Sequence, residues 1–135
     1  MNVPLPASSG DDLFIKSISE IFIPIVEQFK PDVVGISAGF DAYSFDPLLQ
    51  LNVSTTAFYN AGKLFATKFR NLFAVLEGGY NIEALPKCVF NFLDGINGNK
   101  MRFKEEETIS HSRITDEYTR RLDMLKENLT PYWEL

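Results

Sequence analysis

The sequence has few of the residues that build disulfide-linked or metal-rich domains, with one cysteine and one histidine among 135 residues. A single Cys88 excludes an intrachain disulfide and a cysteine-rich zinc site, and it suits a reducing compartment. No apolar run approaches the ~20 residues of a membrane span, and the N-terminus has no basic segment before an apolar one. We therefore expect a cytoplasmic protein with no membrane association.

Basic residues are also too few to suggest a nucleic-acid partner. The formal net charge is −5 and the sequence pI is about 4.8, so direct nucleic-acid binding through a basic surface is not expected. The length suits a single domain over residues 1–135. Twelve Phe residues in a chain that is 45% hydrophobic indicate a well-filled interior or a large buried contact.

Apolar residues recur at helical spacing in four segments and form short apolar runs in two others, of which the first is rich in β-branched residues. The predicted elements are helix 11–29, strand 33–37, a helix capped by Ser54 and Thr55, strand 72–76, helix 83–95, exposed loop 97–111 and amphipathic helix 112–129. Pro24 should kink the first helix or end it early.

Strand, helix, strand and helix in succession form the βαβ pattern, which predicts an α/β fold with parallel strands and a right-handed crossover. Two strands are too few for a stable open parallel sheet, because such sheets have more strands and both faces covered. The sequence therefore predicts an incomplete sheet.

Both predicted strands run into loops that could carry chemistry. Asp41 follows Ser-Ala-Gly-Phe, and Tyr80 follows Glu-Gly-Gly. Sites of open α/β sheets form at the carboxyl ends of the strands, so Asp41 and Tyr80 could share one pocket. A carboxylate can bind a metal and a phenol can donate to an oxyanion. From the pattern alone, Asp41 as a turn cap and Gly78-Gly79 as a simple turn remain open.

Two motifs together indicate a family. The stretch PDVVGISAGFDAYSFDPLLQLNVST, followed by FAVLEGGYN, closely resembles the histone deacetylase and acetylpolyamine amidohydrolase superfamily. NVPLP near the N-terminus is also similar to that family, and the resemblance covers residues 2–95. LEGGYN looks nearer the class II-like and the bacterial or archaeal members. The resemblance implies the C-terminal part of the parallel-sheet arginase/deacetylase fold.

The resemblance also implies roles for named residues. Asp41 matches a zinc ligand of the family, and Tyr80 matches the tyrosine that hydrogen-bonds the scissile amide carbonyl. Zinc would polarise the acetyl group of an acetylated lysine or polyamine and acidify its bound water. Phe40, Gly78 and Gly79 are candidate substrate-binding residues, although core packing is the alternative for Phe40.

Other family residues have no counterpart in the sequence. The family's tandem His pair and its Asp-x-His zinc ligands are absent, and His111 has no Asp two residues before it. One carboxylate cannot hold catalytic zinc, which takes three protein ligands. We therefore expect the chain alone to hold no zinc and to be inactive or nearly so. It should need an N-terminal complementing segment or self-associate.

Two further interpretations stay open: a non-enzymatic α/β interaction module, and an unrelated domain that binds an anion at Gly78-Gly79. Among the remaining residues, Asp46 is predicted to serve a turn and Asn81 to cap the third helix. Cys88 is predicted to be a buried small hydrophobe. The run Lys104–Glu107 is predicted to be solvated.

Overall fold

The computed structural model describes residues 1–135 and contains five α-helices, one π-helical segment and two β-strands. In chain order these are α1 (Asp11–Ser17), the π-helical segment (Ile18–Phe22), α2 (Ile23–Phe29), β1 (Val34–Ala38), α3 (Thr55–Lys68), β2 (Leu72–Leu76), α4 (Leu85–Ile96) and α5 (Ser112–Leu129). This order is the α/β arrangement that the sequence predicts. None of the helices is both long enough and apolar enough to cross a membrane.

The first predicted helix is divided by its proline without ending there. Pro24 lies in the first turn of α2, directly after the π-helical segment. Proline has no N–H to donate, and a wider helical turn before it accommodates the missing bond. The predicted early end is therefore wrong, since the helix continues to Phe29. Lys30 then adopts a left-handed conformation with φ 52° and donates its N–H to the Val26 carbonyl.

Local caps set the starts of the later helices. The Ser54 hydroxyl accepts hydrogen bonds from the N–H groups of Thr56 and Ala57 at the start of α3. Pro86 lies in the first turn of α4, where its missing N–H costs nothing. The final helix α5 covers the residues over which the apolar spacing predicts it.

The two strands pair in parallel as a two-stranded sheet, with Val34 opposite Leu72 and Ala38 opposite Leu76. Helices cover one face of β1, where Ala38 is buried. Strand β2 is largely uncovered on both faces: Phe73, Val75 and Leu76 are 56%, 51% and 58% exposed. The sheet is thus incomplete, as predicted, because parallel strands normally have both faces buried.

Most of the buried apolar side chains form two clusters. One lies beneath the loop after β1 and packs it on α3 and α4; the members central to the site are Phe40, Phe58, Cys88 and Phe92. The other joins α1 and the π-helical segment to α5 through Leu13, Ile21, Tyr118 and Leu122. The first cluster therefore supports the carboxyl end of β1 from below.

The segment 97–111 contains no helix or strand, but side-chain hydrogen bonds tie it to the helices. Its run Lys104–Glu107 is not uniformly solvated, contrary to the prediction. Glu105 is half-buried and accepts hydrogen bonds from the Thr55 N–H, at 2.8 Å, and from the Tyr43 hydroxyl, at 3.0 Å. A carboxylate at the N-terminus of α3 satisfies a free N–H and complements the helix dipole.

Asp11 is the buried polar group that joins most of these parts. Its carboxylate accepts from the Ser54 N–H and hydroxyl at 2.7 and 2.6 Å, and from the Thr108 hydroxyl and N–H at 2.9 and 3.3 Å. The side chain is 4% exposed. One carboxylate thus holds together the starts of α1 and α3 and the segment 97–111.

Replacing Asp11 with Ala should lower the free energy of unfolding by about 2–4 kcal/mol, because it leaves buried donors without a partner. Urea unfolding followed by far-ultraviolet circular dichroism measures the change. Asp32→Ala, at an exposed aspartate, is the matched control and should change it by about 0.5 kcal/mol at most. Equal losses in the two variants would contradict the role assigned to Asp11.

Candidate functional site

The candidate site lies where β1 and β2 end. Because Ala38 pairs with Leu76, the loops that follow leave the same edge of the sheet. Two backbone hydrogen bonds then continue the pairing beyond the strands. The Glu77 N–H donates to the Ala38 carbonyl at 3.0 Å, and the Phe40 N–H donates to the Gly78 carbonyl at 2.8 Å. The loop that carries Asp41 is therefore fixed against the loop that carries Tyr80.

Asp41 and Tyr80 lie on the same side of Gly78. A Cβ atom added to Gly78 would come within 2.5 Å of Asp41 Oδ2 and 3.5 Å of Tyr80 Cε2. A Cβ atom on Gly39 would come within 3.2 Å of Asp41 Oδ1. The carboxylate thus rests against two glycines, and Gly78 has no room for a side chain. The arrangement brings together the two candidate residues that the sequence predicts.

Gly79 serves the turn between these residues. Its φ is +138°, a conformation that other residues rarely adopt. A Cβ atom there would also meet the Leu85 side chain at 2.6 Å. These constraints explain the two adjacent glycines by conformation and close packing. A substrate contact by Gly78 or Gly79 stays a prediction.

The Tyr80 side chain is free to act on a ligand. It is 52% exposed, and its hydroxyl forms no hydrogen bond within the chain. A phenol with no internal partner can donate a hydrogen bond to a carbonyl oxygen that is brought to the same edge of the sheet.

Phe40 has a different position from the one that a substrate-binding role requires. It is 4% exposed and packs edge-to-face against Phe58 and Phe92, with ring centroids 5.1 and 5.8 Å apart. Its ring leaves no accessible surface for an acyl chain. The structure therefore corrects the substrate-binding assignment of Phe40 in favour of core packing, because its ring packs against the rings of Phe58 in α3 and Phe92 in α4.

Asp46 is more deeply involved in the site than a turn residue would be. It is 7% exposed, and its Oδ2 accepts from the Tyr80 N–H at 2.7 Å and from the Asn81 N–H at 3.3 Å. Its Oδ1 accepts from the Leu48 N–H at 2.9 Å, which is the predicted turn contact. Sequence reasoning missed the link to Tyr80, which joins residues 34 positions apart.

The charge of Asp46 is stabilised by these bonds. Burial by itself would raise the pKa of this carboxyl, but hydrogen bonds from the backbone N–H groups of Leu48, Tyr80 and Asn81 outweigh burial and lower the pKa. Asp46 thus occupies the N–H groups of Tyr80 and Asn81 and places a negative charge beside the Gly78-Gly79 turn, where it would repel an external anion. This arrangement argues against the anion-binding interpretation of the Gly78-Gly79 turn.

Asn81 and Cys88 contribute to the structure around the site and not to its chemistry. Asn81 accepts the Ala84 N–H on its Oδ1 at 3.0 Å and so caps the turn before α4. Cys88 is fully buried, as predicted, and burial followed by the nearby Glu105 charge raises the pKa of its thiol to about 12. A thiol with so high a pKa is not a nucleophile near neutral pH.

The residues present do not complete a zinc site by themselves. Catalytic zinc takes three protein ligands and an open position, and no group of three His, Cys, Asp or Glu side chains is arranged to hold a metal. His111 lies away from Asp41, exposed at the start of α5, where its Nδ1 accepts the Arg113 N–H. The chain therefore offers at most one ligand, Asp41, to a metal at this edge.

A carboxylate and a phenol at the carboxyl ends of two parallel strands define an α/β domain with a candidate hydrolase-type site. The family described as "Histone deacetylase domain" matches residues 1–96. This match covers most of the chain, which therefore belongs to the histone deacetylase family. Its extent agrees with the range over which the sequence motifs indicate the resemblance.

Individual proteins agree with this assignment. The chloroplastic histone deacetylase 14 of Arabidopsis thaliana is 37% identical over 94 residues, a match that covers 66% of this chain and 22% of that protein. The acetylpolyamine aminohydrolase of Burkholderia pseudomallei superposes with a TM-score of 0.66 and 33% identity over 72% of this chain and 28% of its own.

A third comparison concerns the fold alone. The histone deacetylase Clr3 has a TM-score of 0.84 and 21% identity, over 99% of this chain and 22% of its own. The chain thus has the deacetylase fold over nearly its whole length. It spans only about a fifth to a quarter of the relatives that it matches.

The buried charge of Asp46 predicts a pH-dependent stability. Folding lowers its pKa below 3.8, so the carboxylate stabilises the fold fully above about pH 4 and loses that effect as the pH falls through the folded pKa. Asp46→Asn should therefore cost about 1–2 kcal/mol at pH 7 and progressively less towards pH 3. Urea unfolding of both proteins across this range measures the difference, and a constant or widening difference would contradict the assignment.

Proposed function

We propose that this chain is the C-terminal part of a zinc-dependent deacetylase that hydrolyses N-acetyl groups of lysine side chains or polyamines. The observation that carries the proposal is the pairing of Asp41 and Tyr80 against Gly78, at the carboxyl edge of the sheet. Both residues lie inside the region that matches the deacetylase family. Family membership supports the proposed reaction class, and the geometry supports the role proposed for each residue.

Tyr80 is the electrophile in this proposal. Its exposed hydroxyl would donate a hydrogen bond to the amide carbonyl oxygen of the substrate, and the bond would strengthen as negative charge develops on that oxygen. Support comes from the absence of any internal partner for the hydroxyl. A fixed donor of this kind is worth about 10²–10³ in rate.

Asp41 is one ligand of the proposed zinc site. Zinc, when bound, would polarise the acetyl carbonyl and lower the pKa of a water molecule. Since Asp41 is the single candidate ligand at this edge, the other ligands and the general base must come from another segment. The chain alone should then be inactive or nearly so.

The exposed sheet supports such a second segment. Phe73 and Val75 project from one face of β2 and are 56% and 51% exposed, although parallel strands are normally covered on both faces. An open strand edge also favours pairing with another strand. We propose an N-terminal complementing segment as the partner, with self-association as the alternative when that segment is absent.

A second candidate function is a non-enzymatic interaction module. The incomplete ligand set and the exposed apolar strand β2 favour it. It assigns no chemical role to the free Tyr80 hydroxyl or to the carboxylate beside it. A cytoplasmic location remains a prediction for either function, and one relative is named as chloroplastic.

Turnover of an acetyl-lysine peptide tests the proposal. The chain is assayed with zinc, alone and together with a segment that carries the family's His pair and Asp-x-His ligands. We expect no turnover by the chain alone and measurable turnover by the assembly. Tyr80→Phe should lower the kcat of the assembly by about 10²–10³, because only the hydroxyl is removed. Tyr59→Phe, which removes a hydroxyl bonded to the Asn99 carbonyl, is the matched control.

Three results would contradict parts of the proposal. Equal turnover in the Tyr80→Phe and unaltered assemblies would remove the role of the hydroxyl. An assembly that forms but gives no turnover would favour the interaction module. Turnover by the chain alone that disappears in Tyr80→Phe would mean that a site assembles without the family's histidines.

A further inference from the structure

The carboxylate of Asp46 is buried between the two loops of the candidate site and binds both. Its Oδ1 receives the Leu48 N–H of its own loop, and its Oδ2 receives the Tyr80 and Asn81 N–H groups of the other, at 2.7 and 3.3 Å. It forms no ion pair with Lys or Arg. Three backbone N–H groups therefore balance its charge, and charge-assisted bonds of this kind are stronger than neutral ones.

A second bond joins the same two loops. The Asn81 side-chain amide donates to the Phe45 carbonyl at 2.9 Å, beside the Asp46 contact. Within the first loop, successive turns bring Asp46 back towards Asp41: the Tyr43 N–H donates to the Phe40 carbonyl, and the Asp46 N–H donates to the Tyr43 carbonyl, at 3.2 and 2.9 Å. The segment that carries Asp41 thus also supplies the acceptor for the Tyr80 backbone.

The Tyr80 side chain depends on this backbone contact for its position. The ring is 52% exposed and its hydroxyl has no internal partner, so no side-chain bond holds it beside Asp41. The residue before it, Gly79, has a φ of +138° and gives the backbone a wide range of conformations when unrestrained. Asp46 removes that freedom at the N–H of Tyr80 itself.

We propose that Asp46 is a positioning residue, which fixes the backbone of Tyr80 relative to Asp41 so that the Tyr80 hydroxyl meets a bound acetyl carbonyl. The inference rests on the proposed function for its catalytic part. Its geometric part concerns this chain alone. Because an error of about 1 Å in the placement of a catalytic group can cost about 10² in rate, a loosened Tyr80 would lower kcat without removing any substrate contact.

Amide exchange of the chain by nuclear magnetic resonance tests the geometric part. In Asp46→Ala, exchange at the Tyr80 and Asn81 amides should accelerate by about tenfold to a hundredfold, and Asp46→Asn should give a smaller acceleration. The nuclear Overhauser contact between the Tyr80 ring and the Gly78 α-protons should weaken in both variants. Ser44→Ala is the matched control, because its hydroxyl bonds the Val53 carbonyl in the same loop and does not reach Tyr80.

The kinetic part uses the complemented assembly. Asp46→Asn should lower kcat by about tenfold to a hundredfold with KM little changed, and Ser44→Ala should leave both unchanged. Adding Tyr80→Phe to Asp46→Asn should cause little loss beyond that of Tyr80→Phe alone, because both act through one hydroxyl.

Each result decides a separate part of the inference. Unchanged exchange at Tyr80 in both Asp46 variants would overturn the positioning role. So would multiplied kcat losses in the double variant, since the two residues would then act independently. If Tyr80→Phe alone leaves turnover unaltered, the proposed function fails and the catalytic part of this inference fails with it. Accelerated exchange in that case would still establish Asp46 as the restraint on the Tyr80 loop.

Discussion

Everything at the candidate site depends on the parallel pairing of β1 and β2. Parallel strands end at the same edge of a sheet, so the pairing of Ala38 with Leu76 delivers two loops to one place although 33 residues lie between Asp46 and Tyr80 in sequence. Antiparallel strands would separate the loops by the length of the sheet. The crossover through α3 makes the parallel arrangement possible. The core cluster that contains Phe40 supports the start of the loop after β1.

The sheet that supports the site is itself poorly covered. Helices α3 and α4 pack against the start of the loop after β1, yet strand β2 is exposed over most of its length. Burial of apolar side chains such as Phe73 lowers the free energy by about 25 cal/mol per Å² of apolar surface removed from water. The same surface would stabilise the proposed assembly with a segment that completes the sheet and the ligand set.

Much of the fold and half of the site follow from the sequence. Apolar spacing predicts the helices, and the βαβ order predicts the parallel strands. The two motifs predict Asp41 and Tyr80. The roles of Asp46 and Glu105 were missed because each depends on a partner far away in sequence, which local turn chemistry and charge runs do not reveal. Phe40 was misassigned in the site because residues beside a ligand and residues beneath it share the same motif. Pro24 is predicted to kink the first helix or end it early, and the π-helical segment before it lets the helix continue.

The zinc content of the complemented assembly tests most directly whether this chain supplies a metal ligand to a deacetylase site. After dialysis, the unaltered assembly should retain about one zinc per complex, and Asp41→Asn should retain far less, because an amide oxygen replaces a carboxylate ligand. Asp32→Asn, at an exposed aspartate, should retain as much as the unaltered assembly. Undiminished zinc in Asp41→Asn would contradict the account, since the metal would then be held without this chain's carboxylate.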